Sequence, residues 1–212
     1  MKTGTSAAIE EVHTIKTPPT QPATDWAATA YPKDVRLRDD SEALLRPLAQ
    51  GDEDRLLAFF QLIPEAERFF LKDDVTSPAV IKGWVRDTKR AFALVAEASG
   101  RIVGEAALVR RRGKARGHLA DVRIVVAQDF RNRGLGTALL SELCDIARAS
   151  ALNGVLFEAV ESIQAQALAA ADSLGFVRLG RIYGGAIDQT GHLHDVILLA
   201  MPLRRWRHSS EF

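Results

Sequence analysis

Apolar residues in the central part of the chain recur with two periods, one typical of strands and one typical of helices. Residues 122–126 are rich in β-branched side chains, which favours a buried strand. Further along, apolar residues share one helical stripe, made of Leu135, Leu139, Leu140, Leu143, Ile146 and Ala147. A polar segment with two glycines, residues 129–137, lies where the two patterns meet. The pattern predicts a strand, a loop and a helix in immediate succession.

The remaining pattern predicts strands and helices that do not alternate strictly. Strands are expected at residues 42–49, 91–98, 101–111, 118–127, 154–161, 175–183 and 192–201. Helices are expected at residues 53–62, 135–150 and 163–174, with further short helical segments between residues 64 and 90. This order favours the α/β (α+β) class, a mixed sheet with helices on both faces.

Composition divides the chain into three parts. Residues 1–40 are rich in Ala, Thr and Pro and are predicted to form a flexible N-terminal extension. An ordered arm anchored by Trp26 and Tyr31 is the alternative. Residues 41–203 form the predicted domain, and residues 204–212 a basic C-terminal tail.

Charge and cysteine content exclude several classes of function. The chain has 212 residues, 47% of them hydrophobic, and a formal net charge of +1, which gives no support to a nucleic-acid partner. Cys144 is the only cysteine, so the chain has no internal disulfide and no cysteine-based metal site. Because no segment resembles a membrane span or a secretory signal, we expect a soluble cytoplasmic protein without a membrane partner.

The loop at residues 129–137 has the composition of a phosphate-binding loop. Gly134 and Gly136 let the backbone approach a ligand, and the first amides of the helix favour an anion. Arg131 and Arg133 are expected to donate charge-assisted hydrogen bonds to phosphate oxygens. The segment has no Lys before Thr137, as a Walker A loop requires, and it has too few glycines for a dinucleotide fingerprint. A pyrophosphate is therefore the expected ligand.

The Arg-x-x-Gly-x-Gly segment, residues 131–136, resembles the pyrophosphate loop of the GNAT superfamily of acyl-coenzyme A dependent N-acetyltransferases. The order of elements from residue 42 to residue 203, the segment 45–54 and the Gly175–Phe176 pair are also similar to that family. The resemblance implies a mostly antiparallel central sheet and acetyl-CoA as the acyl donor. It assigns the pantetheine arm to the backbone of Ile124, Val125 and Val126 and to Gln164. It assigns the pyrophosphate to the amides of Arg131, Asn132, Arg133, Gly134, Leu135, Gly136 and Thr137.

The same resemblance implies catalytic residues. Asp121 stands where lysine acetyltransferases carry a glutamate and is the first candidate for the general base, acting directly or through water. Pairing of Asp121 with a basic residue is the alternative. Glu158 and Glu161 are further candidate bases and Glu105 a weaker one, expected on a solvated strand face. The tyrosine that often serves the family as general acid falls at Ala171, so Tyr183 is the remaining candidate acid, with aromatic packing as its alternative.

These observations together predict an N-acetyltransferase that moves an acetyl group from acetyl-CoA to a primary amine in a ternary complex. Protein lysine is the expected acceptor, because segment 45–70 is similar to protein lysine acetyltransferases. A small-molecule amine acetyltransferase and a non-catalytic acyl-CoA sensor are the alternatives, and a homodimer stays open. His118, His192 and His194 form no closed ligand set, so no metal is expected.

Overall fold

The computed structural model describes residues 30–87 and 90–203. Its strands are β1 Lys33–Arg36, β2 Glu42–Pro47, β3 Ala91–Ala98, β4 Arg101–Arg110, β5 Leu119–Val126, β6 Gly154–Val160, β7 Val177–Ile187 and β8 Leu193–Pro202. Its helices are α1 Glu53–Gln61, α2 Glu65–Arg68, α3 Pro78–Arg86, α4 Leu135–Ala149 and α5 Ala165–Ser173. A 3₁₀ turn, Gln128–Phe130, links β5 to the loop before α4. The predicted elements are thus confirmed, most of them to within two residues at each end.

The eight strands form one sheet in the order β1-β2-β3-β4-β5-β6-β8-β7. Neighbouring strands are antiparallel except for β5 and β6, which are parallel. The mixed, mostly antiparallel sheet that the sequence predicts is therefore confirmed. The single parallel pair lies in the middle of the sheet and, as described below, forms the edge of a cleft.

Helices cover both faces of the sheet, as adjacent residues of β4 show. A Cβ on Gly104 would lie 3.0 Å from Leu139 of α4, so α4 packs closely against this face of the sheet. The next residue, Glu105, points to the opposite face. There its partner Arg123 lies over the ring of Trp84 of α3 at 3.4 Å. Gly104 is thus needed for the close approach of α4 to the sheet.

The predicted apolar stripe of α4 is the centre of the core. All six of its residues are completely buried. Cys144 is also buried in this helix, and burial raises the pKa of its thiol to about 11, which agrees with a packing role. Among the described residues, no helix combines the length and the apolarity that crossing a bilayer would require.

Residues 33–36, which lie inside the predicted N-terminal extension, form a strand of the sheet. Strand β1 pairs with β2, Leu37 is buried, and the phenol of Tyr31 donates a hydrogen bond of 2.9 Å to Glu142 of α4. Lys33 forms an ion pair with the same carboxylate. Composition concealed this, because the Ala- and Pro-rich segment ends in a strand only four residues long. Residues 1–29, with Trp26, and residues 204–212 lie outside the described residues.

The start of α1 is fixed by a network of charges. Asp52 is the N-cap residue, and its carboxylate accepts two hydrogen bonds of 2.6 Å from Arg46 and one of 2.9 Å from the Ala49 amide. Burial by itself raises the pKa of Asp52, but these hydrogen bonds outweigh burial, and the pKa is lowered. Glu97 of β3 binds Arg46 and, at 2.8 Å, Arg55. The network ties α1 to strands β2 and β3.

Candidate active site

Strands β5 and β6 separate part-way along their length and open a cleft. They pair only between Leu119–Asp121 and Gly154–Leu156, although β5 continues to Val126 and β6 to Val160. The open edge of β5 from Val122 to Val126 is about 13 Å long at the rise of a strand. The cleft has a volume of about 300 Å³. It is lined by Ile124, Val125, Val126, Arg131, Asn132, Gly134, Gly136, Thr137 and Gln164 among the predicted binding residues, and by Arg38 and Glu67.

One end of the cleft is formed by backbone amides. Asn132 has a φ of 60° and Gly134 a φ of 90°, and these left-handed residues turn the chain sharply into α4. The six N–H groups from Asn132 to Thr137 donate to no acceptor among the described residues, whereas the flanking amides of Arg131 and Ala138 are both bonded. Free amides at the positive end of a 15-residue helix form a site for an anion.

The two loop arginines are held by carboxylates. Arg131 binds both oxygens of Glu67, at 3.0 Å and 2.6 Å, and its Nε donates to the Val126 carbonyl at 3.0 Å. Arg133 pairs with Asp39 at 2.9 Å and lies over the ring of Phe130. The structure therefore differs from the expectation that both side chains are available for phosphate, because nearby acids on α2 and the β1–β2 turn neutralise them. Arg133 and Leu135 also do not line the cleft, and the Leu135 side chain is fully buried in the core.

Gln164 lies between this cleft and a second, smaller depression of about 240 Å³. Its Oε1 accepts a hydrogen bond of 2.8 Å from the Val160 amide, which positions the side chain at the end of β6. The amide nitrogen of Gln164 is then the group available to a ligand. Ala171, at the position of the tyrosine that the resemblance expects, is completely buried.

Asp121 lies where the two strands separate, and two nitrogens of the Arg111 guanidinium bind it. Arg111 Nε is 2.9 Å from Oδ1 and 3.1 Å from Oδ2 of Asp121, and Arg111 Nη2 is 2.8 Å from Oδ1. The hydrogen bond to Asp121 raises the pKa of Arg111 above its ordinary value. Glu158 pairs with Lys72 at 3.0 Å and lies 3.6 Å from Arg111. The alternative given for Asp121, an ion pair, is what the structure shows, with Arg111 as the partner.

Glu105 differs from its predicted surroundings. It is completely buried rather than solvated, and it binds Arg123 through both oxygens at 2.6 Å and 3.1 Å. Alternation along β4 could not reveal this, because residues 102–108 are buried on both faces of the strand. The pair is a structural element beneath α3.

Tyr183 and Glu161 lie away from the cleft. Tyr183 is 81% exposed on β7, the edge strand that β8 separates from β6. Glu161 pairs with Arg181 at 2.8 Å. The phenol is on the far edge of the sheet, so this geometry does not support Tyr183 as the proton donor to the leaving thiolate.

His194 is held in a hydrogen-bonded chain. Its Nδ1 lies 2.8 Å from Ser162 Oγ and its Nε2 lies 3.1 Å from Asp188, while its ring packs against Phe70. This chain supports the wall of the smaller depression, which Phe69, Phe70, Lys72, Glu158, Val160, Gln164 and Ile187 line among others. No group of three potential metal ligands occurs in residues 30–87 and 90–203.

The geometry agrees with comparisons to known proteins. The model of the acetyltransferase (GNAT) family matches residues 56–176. The chain belongs to the GNAT family. It is 41% identical over 68 residues to glucosamine 6-phosphate N-acetyltransferase from Trypanosoma brucei brucei, a match that covers 30% of this chain and less than half, 45%, of that protein.

Two solved structures show the GNAT fold. The GNAT domain of PAT from S. lividans matches with a TM-score of 0.66 and 20% identity over 80% of this chain and 96% of that domain. The yncA protein of Salmonella typhimurium, solved with its cofactor acetyl-CoA, also gives a TM-score of 0.66 and 20% identity, over 79% of this chain and 96% of its own.

The sequence analysis missed two charged residues that line the cleft, Arg38 and Glu67. Both are charged residues in segments without a motif, and both reach the loop only through tertiary packing.

Proposed function

We propose that this GNAT protein transfers an acetyl group from acetyl-CoA to a primary amine. The observation that carries the proposal is the row of six free amides at the end of a cleft between two separating strands. These amides and the dipole of α4 bind the diphosphate, and no side-chain cation of the loop itself is needed. The cofactor-bound relative with the same fold supports acetyl-CoA as the donor.

The rest of the donor follows the open edge of β5. Strand β6 pairs with β5 only as far as Asp121. The backbone of Ile124 and Val125 is therefore open, and the pantetheine arm can pair with it as an added strand would. Gln164 lies on the opposite side of the cleft and offers its amide nitrogen. This orientation directs the thioester toward Asp121, at the point where the strands meet.

The reaction needs a neutral amine. A lysine amine, with a pKa of about 10.4, must lose a proton before its nitrogen attacks the thioester carbonyl. The carbon–sulfur bond then breaks to release a thiolate, and the second proton that the nitrogen loses converts this thiolate to the thiol. Asp121 and Glu158 are the carboxylates at the junction of the strands, both bound to cations. We infer that the proton leaves through water to Asp121 after the pair with Arg111 has loosened.

The acceptor enters from the side of the smaller depression. Protein lysine is our first candidate, supported by the similarity of segment 45–70 to protein lysine acetyltransferases and by the exposed ring of Phe69 at the rim. A small-molecule amine is the second candidate. It is supported by the small size of the depression, about 240 Å³, and by the local identity to an enzyme named for glucosamine 6-phosphate.

A thiol-release assay tests the function. The protein is mixed with acetyl-CoA and a panel of amines, and free thiol is followed together with direct binding of CoA. We expect amine-dependent thiol release, abolished in Gly134→Asp, in which a carboxylate faces the phosphates. Tight binding of CoA without thiol release for any amine would instead favour the sensor alternative, and no binding of CoA would refute the proposal.

The acceptor is tested with two substrate sets under the same conditions. Intact-protein mass spectrometry of lysine-containing proteins is compared with a screen of glucosamine 6-phosphate, polyamines and amino acids. A mass increase of one acetyl group on lysine, with no turnover of small amines, supports the first candidate. The reverse result supports the second.

A further inference from the structure

Among the described residues around the loop, one cation has no carboxylate partner. Arg131 is neutralised by Glu67 and Arg133 by Asp39. Arg38 also lines the cleft, and its guanidinium pairs with no carboxylate of residues 30–87 and 90–203. A diphosphate carries two negative charges, so a single unpaired guanidinium beside its site has a large electrostatic effect.

Arg38 is placed at the loop by the β1–β2 turn. Its backbone N–H donates to the Arg133 carbonyl at 2.9 Å, and a Cβ on Gly134 would lie 3.5 Å from both its Cγ and its Nε. The side chain therefore crosses directly over the left-handed glycine, at the edge of the six free amides. The buried side chain of Leu37 holds this turn against the domain.

The acids of the same turn are bound elsewhere. Asp40 pairs with Arg36 at 2.9 Å, while Asp39 accepts a hydrogen bond of 2.6 Å from Ser41 and pairs with Arg133. The turn thus neutralises a cation of the loop and supplies a different one in its place. Arg38 reaches over the amides, whereas Arg133 points away from them to Asp39.

We propose that Arg38 binds the diphosphate of coenzyme A and is a further binding residue of the donor site. The proposal rests on the proposed function and deepens it. Arg38 lies in the β1–β2 hairpin, outside residues 56–176, the segment that the family model matches. Its planar guanidinium presents two N–H donors in a rigid fork that matches two phosphate oxygens, a geometry that the ammonium of a lysine does not have.

Binding of two ligands to four proteins tests the proposal. Dissociation constants are measured by titration calorimetry for CoA and for dephospho-CoA, which keeps the diphosphate and lacks the 3′-phosphate. The proteins are the wild type, Arg38→Gln, Arg38→Lys and the matched control Arg36→Gln, from the end of β1 in the same hairpin. We expect Arg38→Gln to bind both ligands about tenfold more weakly, as for loss of one charged hydrogen bond, and Arg38→Lys to recover part of the loss. Arg36→Gln should bind both within about twofold of the wild type.

Each other result overturns the proposal. If Arg38→Gln binds CoA like the wild type, Arg38 does not contact the donor, while the proposed function stands. A loss for CoA but not for dephospho-CoA places Arg38 on the 3′-phosphate and removes it from the diphosphate. Wild-type protein that binds neither ligand refutes both the inference and the proposed function. Thermal unfolding without ligand checks that the variants fold.

Discussion

Two glycines of the loop are expected to respond in opposite directions to the same substitution. A Cβ on Gly136, in the first turn of α4, would meet only Val126 Cγ2 at 3.8 Å, an ordinary contact. Gly134 has a φ of 90°, which an alanine adopts at a cost of about 1–2 kcal/mol. Gly136→Ala should instead gain about 0.5–1 kcal/mol, because alanine is the better helix former.

The expected magnitudes separate folding from binding. Gly134→Ala should lower Tm by about 2–6 °C and Gly136→Ala should raise it by about 1–3 °C, both measured without ligand. In Gly136→Ala the new methyl points toward the cleft and moves the diphosphate off the amides. Loss of one hydrogen bond to a charged group, about 1.5–3 kcal/mol, weakens CoA binding by about 10- to 100-fold. The variant is thus more stable and binds less.

Gly83→Ala is the matched control. Gly83 is also in a helix, α3, and a Cβ there has nothing within 4 Å. It should raise Tm by a similar amount and leave CoA binding unchanged. If Gly136→Ala folds normally and binds CoA like the wild type, the diphosphate does not lie on these amides.

Three further outcomes are expected. Asp52→Asn should cost about 3 kcal/mol in urea unfolding at pH 7. Because the folded-state pKa of Asp52 is lowered, its contribution is present above about pH 4 and lost at lower pH, so an equal gap to the wild type at pH 3 would contradict this. Glu105→Gln should lower the free energy of unfolding by about 3 kcal/mol, because Arg123 loses its carboxylate partner in a largely buried pair. Asp129→Asn, in an exposed pair, should lower it by less than about 1 kcal/mol. Equal losses would argue against a structural role for Glu105. Asp121→Asn should lower turnover without changing CoA binding, and Tyr183→Phe is the control that should leave both unchanged. An unchanged rate in Asp121→Asn would remove Asp121 from the mechanism.

The local part of the fold followed from the chain itself. Strands β3 and β5 and helix α4 were predicted to within one or two residues, because apolar periods of two and 3.6 residues are local properties. The loop was identified for a similar reason, since two glycines and a helix start occur within a few positions. The short strand β1 has too few residues to show a period, and its place in the domain was therefore missed.

The charged residues were harder to assign, and Arg131, Glu105 and Tyr183 show why. Each has a plausible role by residue type and position. The partners of the first two lie on other elements of the fold, as Glu67 does for Arg131. The position of Tyr183 away from the cleft is likewise set by packing. An ion pair depends on distances of a few ångström, which sequence spacing does not define unless both partners lie on the same element.

Local order along the chain dictates the succession of strand, glycine loop and helix. It thereby also dictates an anion site made of backbone amides, because the first amides of a helix have no partner within the helix. The tertiary structure alone decided which side chains serve that site. Folding brings the β1–β2 turn and α2 to the loop, where Asp39 and Glu67 neutralise its own arginines and Arg38 lies over its glycine. Charges act through space over short distances, so their partners are set by packing and not by order along the chain.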